Sequence, residues 1–316
     1  MKAVVQRRYG GPETLEIAEV DRPTAARGEV LVRVHAAALN PTDYVVMRGL
    51  LRQQTGWRRP RQQQQVRGFD VAGVVETVGD DGAGLAAGDA VFGSCRGSLA
   101  EFAVGAAEKL APKPARLSFE QACAIAVAGT MALEGLRDHA RLRAGQRVAL
   151  TGATGGVGSF AVQIAKAYGA HVTAVCRTEN VELARRLGAD RVFDYTREDY
   201  LRDERYDAIF DNGGGRSLRE LRRALAPGGV VVLNCGQDYG LALAGFAARL
   251  VLRRRDVKQF ARKVRHADLL ELAALVEEGR VTPLVDREYP LVEAPAAMTY
   301  LMARHPRGKV VVTPAP

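Results

Sequence analysis

The spacing of apolar and polar residues divides the chain into an early part with strand periodicity and a later part in which strands and helices alternate. Valine occupies every second position of residues 30–34, a pattern typical of a half-buried strand. Residues 68–75 and 88–93 are further strand candidates that contain or end in glycine. Short strands separated by glycine predict a small β barrel or sandwich in the first part of the chain.

The periodicity becomes helical after residue 147. A run of Val, Ala, Leu and Thr at residues 148–151 ends in a glycine cluster, and apolar residues then recur at helical spacing from Val157 to Tyr168. Further strand candidates follow at residues 171–175, 191–194, 206–210 and 230–233, with helix candidates at 179–187 and 217–226. This alternation predicts a parallel sheet covered by helices on both faces.

The glycine cluster, residues 152–158, lies directly after a predicted strand and directly before an amphipathic helix, which is the setting of a phosphate-binding loop. Gly155 would let the backbone approach a pyrophosphate, and Gly158 would let the helix pack closely on the sheet. Free N–H groups and the positive end of the helix dipole favour an anion there. We therefore expect a dinucleotide site; the alternative is a glycine-rich turn in an α/β protein that binds no nucleotide.

The end of the next strand distinguishes NAD from NADP. An NAD site usually places Asp or Glu about 20 residues after the glycines, to hold the ribose 2′-hydroxyl. Here Cys176 and Arg177 follow the predicted strand, and Glu179 would lie inside the next helix. Arg177 can form a charge-assisted pair with a 2′-phosphate, which favours NADP(H). The alternative is that Arg177 is only a surface cation.

Composition and charge exclude several classes of protein. The 316 residues, 47% hydrophobic and 26% charged, predict about two globular domains rather than a disordered chain. The net charge of +9 permits anion binding, but we favour a solvated surface over a nucleic-acid footprint as its explanation. The closest pair of cysteines, Cys95 and Cys123, is too widely spaced for a CxxC site. With neither a secretory signal nor an apolar segment of membrane length, we expect a cytoplasmic protein.

Residues 48–67 stand apart from this pattern because they combine several arginines with four consecutive glutamines and have little apolar periodicity. They predict an exposed loop. Two interpretations remain, a solvated insertion and a basic lid over an anionic ligand.

Five motifs occur in a fixed order along the chain: RGFDVAG, GDAVFG, GATGGVG, LGAD and, near the end, RGKVVV. In this order they resemble the medium-chain dehydrogenase/reductase superfamily, specifically its zinc-free quinone oxidoreductase branch. The resemblance covers nearly the whole chain. It implies an α/β fold with a β-rich, chaperonin-10-like catalytic domain at residues 1–120 and 263–316. A Rossmann-type dinucleotide-binding domain with a doubly wound parallel sheet would occupy residues 121–262.

The resemblance also implies the absence of a metal. The zinc alcohol dehydrogenases of this superfamily carry Cys at the position of Asn40, His at the position of Phe69 and another Cys near Thr130. A catalytic zinc needs three protein ligands, and the residues present here cannot replace thiolates and imidazole. We therefore expect chemistry that depends on hydrogen-bond donors.

The candidate site residues follow from the same resemblance. Tyr44 and Asn40 lie in the segment that lines the substrate cleft of the resembling enzymes, where Tyr44 would donate to a carbonyl oxygen unless solvent supplies the proton. The alternative for Tyr44 is a merely packed aromatic side chain, and for Lys309 a solvated charge at a strand end. The expected coenzyme contacts are Thr130, Thr154, Gly155, Gly156, Val157, Arg177, Tyr195, Asn212, Cys235, Gly236 and Lys309.

Together, these expectations predict a zinc-independent, NADPH-dependent oxidoreductase that reduces a quinone or an α,β-unsaturated carbonyl compound. One alternative is an enoyl-thioester reductase of the same superfamily. Another, of a different class, is a non-catalytic NADPH-binding regulator or nucleic-acid binder. The expected partner is a small molecule and not a membrane, and the resembling enzymes are often dimers, which suggests a homodimer.

Overall fold

The computed structural model describes residues 1–50, 65–234, 256–260, 263–303 and 306–314. They divide into a β-rich unit (Met1–Val127, Val264–Glu277 and Pro283–Pro316) and a parallel-sheet unit (Ala128–Lys263 and Glu278–Thr282). The sequence placed the first boundary at residues 120/121, whereas the structure divides after Val127. Cys235, Gly236 and most of the loop at residues 48–67 lie outside the described residues.

The strands and helices are numbered along the chain. The strands are β1 (Lys2–Gln6), β2 (Leu15–Glu19), β3 (Glu29–Leu39), β4 (Gln65–Val66), β5 (Asp70–Val78), β6 (Ala90–Ser94), β7 (Phe102–Ala106), β8 (Leu110–Pro112), β9 (Arg147–Thr151), β10 (His171–Cys176), β11 (Arg191–Asp194), β12 (Tyr206–Asp211), β13 (Leu225–Leu233), β14 (Val257–Gln259), β15 (Val285–Pro290) and β16 (Lys309–Thr313). The helices are α1 (Pro41–Arg48), α2 (Phe119–Cys123), α3 (Ala126–Glu134), α4 (Gly156–Ala167), α5 (Val181–Arg186), α6 (Leu218–Arg223), α7 (His266–Glu277) and α8 (Ala294–Ala303), with a π-helical turn at Gly135–Ala140. Within the described ranges, no helix is long and apolar enough to cross a lipid bilayer.

Two sheets build the β-rich unit. The larger has the strand order β15-β16-β3-β5-β6-β8, with β7 also paired to β3, and the smaller has the order β2-β1-β4. The alternating valines of β3 are buried in one core with Val71 and Val310. Gly73 in β5 has to be glycine, because a Cβ there would lie 2.1 Å from the carbonyl oxygen of Arg33 in β3. This close approach holds the two strands together.

The last strand determines the surroundings of the candidate catalytic segment. Strand β16 pairs antiparallel with the end of β3, and Val310 lies opposite Leu39. This pairing brings Lys309 beside Asn40, although the two residues are 269 positions apart in the chain. The sequence predicted β16 itself but gave no indication of this neighbour.

The six described strands of the other unit form a sheet of order β11-β10-β9-β12-β13-β14. All neighbouring pairs are parallel. The chain adds strands on one side of β9 and then continues on the other side with β12, so the strand order reverses there. Open α/β sheets bind ligands at the carboxyl ends of the strands at such a point. The prediction of a Rossmann-type doubly wound sheet is confirmed.

One local prediction was wrong. The sequence predicted a helix up to Ala226, a turn at residues 227–229 and a strand from Val230. In the structure α6 ends at Arg223, and β13 passes through the turn as a bulge in which Gly228 has a φ of +80°. A Pro-Gly-Gly sequence can therefore interrupt the pairing with β12 without ending the strand.

Candidate functional site

The glycine loop joins β9 to α4 in the parallel-sheet unit. Gly152 has a φ of +58°, in the left-handed region that favours glycine, and α4 begins at Gly156. A Cβ on Gly158 would lie 2.0 Å from the Gly152 carbonyl oxygen, so glycine is required for the first turn of α4 to pack on the loop. The first N–H groups of α4 have no partner within the helix and remain available to an anion.

Gly155 is different, because a Cβ there would meet only the Gly152 carbonyl oxygen, at 3.4 Å. The fold itself does not need glycine at this position. The space in front of Gly155 is a cradle that no other described atom fills, and it suits a pyrophosphate. Thr154 is buried beside it, while Gly156 and Val157 are partly exposed at the start of the helix. The structure thus brings together the predicted contacts of the loop.

A hydrogen-bond network at the ends of β9 and β12 orients Asn212. Thr151 Oγ1 accepts the backbone N–H groups of Asn212 and Gly213, each at 2.9 Å, and donates to Asp211 Oδ1 at 2.5 Å. Asn234 Nδ2 donates to Asn212 Oδ1 at 2.7 Å. Asn212 Nδ2 is buried and has no hydrogen-bond partner among the described residues. A buried donor left unpaired costs about 1–3 kcal/mol, so a ligand oxygen at this position would be stabilising.

Arg177 and Tyr195 meet after the ends of β10 and β11. Arg177 Nε donates to the Tyr195 hydroxyl at 2.6 Å, and this bond raises the pKa of the guanidinium above its usual value. Arg177 forms no ion pair within the part of the chain that the structure describes, and both side chains are exposed. The Nη groups of Arg177 therefore remain available to an anionic ligand.

Asp194 is the carboxylate that the sequence analysis did not consider, although it lies opposite Cys176 at the end of β11. Its oxygens accept from Thr178 Oγ1 at 2.5 Å, from Thr196 Oγ1 at 2.6 Å and from the Thr196 N–H at 3.0 Å. The bond from Thr178 contributes most to a lowered pKa of Asp194, which keeps it ionised. Its hydrogen-bonding capacity is used within the protein, so it does not take the place of the missing ribose acid.

Thr130 lies in α3 and is fully buried. Its predicted contact with the coenzyme remains a prediction, as do those of Cys235 and Gly236, which are outside the described residues.

A buried polar cluster occupies the β-rich unit where β16, β3 and β5 meet. It consists of Asn40, Asp43, Asp70 and Lys309, each 5% exposed or less. Lys309 Nζ donates to Asn40 Oδ1 at 2.6 Å and to Asp70 Oδ2 at 3.1 Å. Asn40 Nδ2 donates to the same Asp70 oxygen at 3.1 Å, and the Val127 N–H donates to Asp70 Oδ1 at 3.1 Å. The sequence contained Asp70 in its RGFDVAG motif but did not indicate that it pairs with Lys309.

Asp43 is the second carboxylate of the cluster. Its Oδ2 accepts the backbone N–H of Asn40 at 2.7 Å, which fixes the first turn of α1. Burial raises the pKa of Asp43 to about 6, and the nearby charge of Asp70 acts in the same direction. The Asn40 N–H and the Lys309 ammonium act in the opposite direction. The Lys309 ammonium thus bonds to Asp70 and acts on Asp43 through its charge, and Asp43 carries a proton below about pH 6.

The two residues predicted to be catalytic, Asn40 and Tyr44, have different surroundings. The amide of Asn40 bonds to Asp70 and Lys309 inside the unit, and a catalytic role of Asn40 remains a prediction. Tyr44 is half-buried on α1, with its ring against the core and the Arg48 guanidinium 5.8 Å from the ring centre. Its hydroxyl has no hydrogen-bond partner among the residues described and remains available as a donor. The ammonium of Lys309 is likewise engaged with Asn40 and Asp70 rather than solvated.

Comparisons with known proteins agree with this architecture. The family model "Alcohol dehydrogenase GroES-like domain" matches residues 26–115, and the model "Zinc-binding dehydrogenase" matches residues 187–312. The chloroplast envelope quinone oxidoreductase homolog of Arabidopsis thaliana is 32% identical over 99% of this chain and 98% of its own length. The chloroplastic NADPH-dependent alkenal/one oxidoreductase of the same plant is 35% identical over 100% of this chain and 80% of its own. The solved quinone oxidoreductase of Coxiella burnetii has a TM-score of 0.85 and 27% identity, with 100% of this chain and 99% of the other covered.

A GroES-like unit and a Rossmann-type sheet with a glycine loop define an oxidoreductase of the medium-chain dehydrogenase/reductase superfamily. Because the relatives match over nearly the full length, the family is shown: the chain belongs to the quinone oxidoreductase-like branch of that superfamily. The resemblance drawn from the sequence motifs is confirmed.

Proposed function

We propose that this oxidoreductase uses NADPH, needs no zinc, and reduces quinones or α,β-unsaturated carbonyl compounds. The observation that carries the proposal is the arrangement at the ends of β10 and β11. Arg177 presents free Nη groups there, while Asp194 is satisfied by Thr178 and Thr196. Glu179, expected inside the following helix, lies instead in the turn Thr178–Asn180 and acts on Arg177 through its charge. The cationic fork of Arg177 suits a ribose 2′-phosphate better than a free 2′-hydroxyl.

The residues of the parallel-sheet unit fit such a coenzyme. The cradle at Gly155 and the free N–H groups of α4 would hold the pyrophosphate, and Asn212 Nδ2 would donate to an oxygen of the coenzyme. When bound, NADPH supplies a hydride to an electron-poor carbon. One relative, the alkenal/one oxidoreductase, is described as NADPH-dependent, which supports the choice of coenzyme.

The substrate oxygen gains negative charge when the conjugated carbon is reduced, and a hydrogen-bond donor must stabilise that charge. We assign this donor role to the Tyr44 hydroxyl, because it has no partner among the described residues. Asn40, Asp70 and Lys309 act through α1, whose first turn they anchor, and so they fix the position of Tyr44.

Zinc does not fit the residues at the position of the first family ligand. Asn40 Oδ1 already accepts from the Lys309 ammonium at 2.6 Å, so a divalent cation at that oxygen would face a positive charge. Phe69 has no donor atom at the position of the second ligand. Although one matching model is described as a zinc-binding dehydrogenase, we derive no catalytic step from a metal.

The acceptor class is tested by mixing the purified chain with NADPH and a panel of quinones, enones and enoyl-thioesters, and following absorbance at the reduced-nicotinamide band. We expect consumption that depends on a quinone or enone. Turnover confined to thioesters would favour the enoyl-thioester reductase instead. Binding of NADPH without turnover of any acceptor would contradict the proposal and favour a non-catalytic role.

The role of Tyr44 has its own test. Tyr44→Phe should lower kcat about 100–1000-fold with little change in the KM for NADPH, because one oxyanion donor is lost. Tyr9→Phe is a matched control, since the Tyr9 ring packs against Gly49 just after the end of α1. An unchanged kcat in Tyr44→Phe would leave the packed aromatic as the remaining interpretation.

A further inference from the structure

A second concave site lies on the parallel-sheet unit, at the edge opposite the glycine loop. This pocket, which we call the amino-edge pocket, has a volume of about 1060 Å³. Gln146 and Arg205 in its wall directly precede β9 and β12, and Lys258 lies in β14. Asn212 follows the other end of β12, whose 6 residues span about 20 Å. The pocket is therefore separate from the coenzyme site.

Most of the charged residues in the wall of this pocket are basic. Its charged residues are Arg141, Arg143, Arg205, Arg222, Lys258, Asp138 and Asp256. Both carboxylates are already paired: Arg222 Nε donates to Asp256 at 2.5 Å. Arg137, outside the pocket, donates to both oxygens of Asp138, at 2.7 and 2.8 Å. The acidic residues therefore do not neutralise the remaining cations.

Arg141, Arg143, Arg205 and Lys258 form no ion pair with any residue that the structure describes. Arg205 Nη1 only donates to the neighbouring Glu204 carbonyl, at 2.7 Å. Like charges around one concavity repel each other, and the walls of a concave site concentrate their field. An anion bound there would relieve this repulsion.

Hydrogen bonds and a buried side chain hold the backbone of Arg141 and Arg143 in place. Leu142 between them is buried, and its N–H donates to the Leu136 carbonyl oxygen at 3.0 Å. The Arg143 N–H donates to Gln146 Oε1 at 2.9 Å. Arg141 and Arg143 therefore start from a fixed loop, which reduces the entropy lost when they bind a ligand.

We propose that the amino-edge pocket binds a small polyphosphate anion. Arginine forks match phosphate oxygens in pairs, and a multiply charged anion meets several of the unpaired cations at once. The cations surround one pocket of small-molecule size rather than following a groove, which favours a compact ligand over a nucleic-acid strand. The proposal does not depend on the identity of the coenzyme or the acceptor.

The test is calorimetric titration of the full chain with inorganic triphosphate at low salt. Arg141→Gln/Arg143→Gln should weaken binding about tenfold or more, because two charge-assisted contacts are lost. Arg202→Gln/Arg219→Gln is the matched control: it removes the same charge from exposed positions of the same unit, outside the pocket, and should change affinity less than about twofold. Orthophosphate should bind about tenfold or more weaker than triphosphate, and added NaCl should weaken both.

Three results would overturn the proposal. One is the absence of triphosphate binding at low salt. Another is equal weakening in both double variants, which would indicate a general charge effect. The third is unchanged affinity in Arg141→Gln/Arg143→Gln, which would place the triphosphate at the glycine loop. If that variant does not fold, Lys258→Gln replaces it, with the same comparison and a loss of affinity again expected.

Discussion

The buried pair of Asp70 and Lys309 should couple strongly in a double-mutant cycle. Lys309→Met leaves Asp70 charged at 0% exposure, with only hydrogen bonds from Asn40 and Val127. Asp70→Asn leaves the ammonium at 3% exposure, bonded to Asn40 Oδ1 and with only the more weakly interacting carboxyl of Asp43 as an opposite charge. Each single change should cost about 3–5 kcal/mol, because an uncompensated charge stays buried. The double variant carries neither charge, and its cost should fall short of the sum by about 1–3 kcal/mol.

The cost of each variant can be measured locally by hydrogen exchange of the Val311 and Val312 amides in β16. Their exchange rates give the free energy of opening of the strand that carries Lys309. The control is the pair of Arg96 and Glu29, 2.7 Å apart in the same unit, in which the Arg96 side chain is exposed and that of Glu29 is half-buried. Its cycle should give a coupling below about 1 kcal/mol. If the losses of stability at Asp70 and Lys309 were additive, or if each single loss were as small as in the control pair, the two charges would not be coupled as proposed.

Three further predictions follow from the structure. In fluorescence titrations, Arg177→Ala should weaken NADPH binding about 10–100-fold, because charge-assisted bonds are lost, and NADH binding less than about threefold. Equal effects on the two coenzymes would show that Arg177 does not bind the 2′-phosphate. In the folded protein the pKa of Asp43 is about 6, whereas its ordinary value is 3.8. Protonation of Asp43 therefore stabilises the fold by about 3 kcal/mol below pH 4, and this stabilisation is lost as the pH rises through about 6. Urea unfolding should show that fall in the wild type and not in Asp43→Asn; parallel pH profiles would contradict it. Gly158→Ala should lower the free energy of unfolding by about 1–3 kcal/mol, because the added Cβ would clash with Gly152. Gly155→Ala should leave the melting temperature unchanged and weaken NADPH binding about tenfold or more. If Gly155→Ala destabilised the fold and Gly158→Ala affected only NADPH binding, the cradle would be misplaced.

The sequence predicted the parts of the molecule that depend on local pattern. Alternating strands and helices give the doubly wound sheet, and the glycine loop is recognisable because its flanking strand and helix are neighbours in the chain. The position of Arg177 is local in the same way, because it directly follows a strand whose position the periodicity defines. The helix end near Ala226 was mispredicted because a bulge and a turn share the same Pro-Gly-Gly sequence.

The contacts that the sequence did not reveal depend on distant pairing. Lys309 reaches Asn40 only because β16 pairs with β3, and no local signal in a strand specifies its partner. Asp194 could have been found from its place at the end of β11, but its bond to Thr178 depends on the parallel pairing of β10 and β11. The bonds of Asn40 could not be predicted for the same reason, since its amide is directed into the cluster by residues far away in the chain.

The central claim is that the chain binds a 2′-phosphorylated nicotinamide coenzyme beside Arg177. It is tested most directly by titrating the purified protein with NADPH and with NADH under the same conditions and comparing the two dissociation constants. We expect saturable binding of NADPH, about tenfold or more tighter than that of NADH, in keeping with the charge-assisted bonds to one added phosphate. Equal affinities, tighter binding of NADH, or no binding of either coenzyme would contradict it.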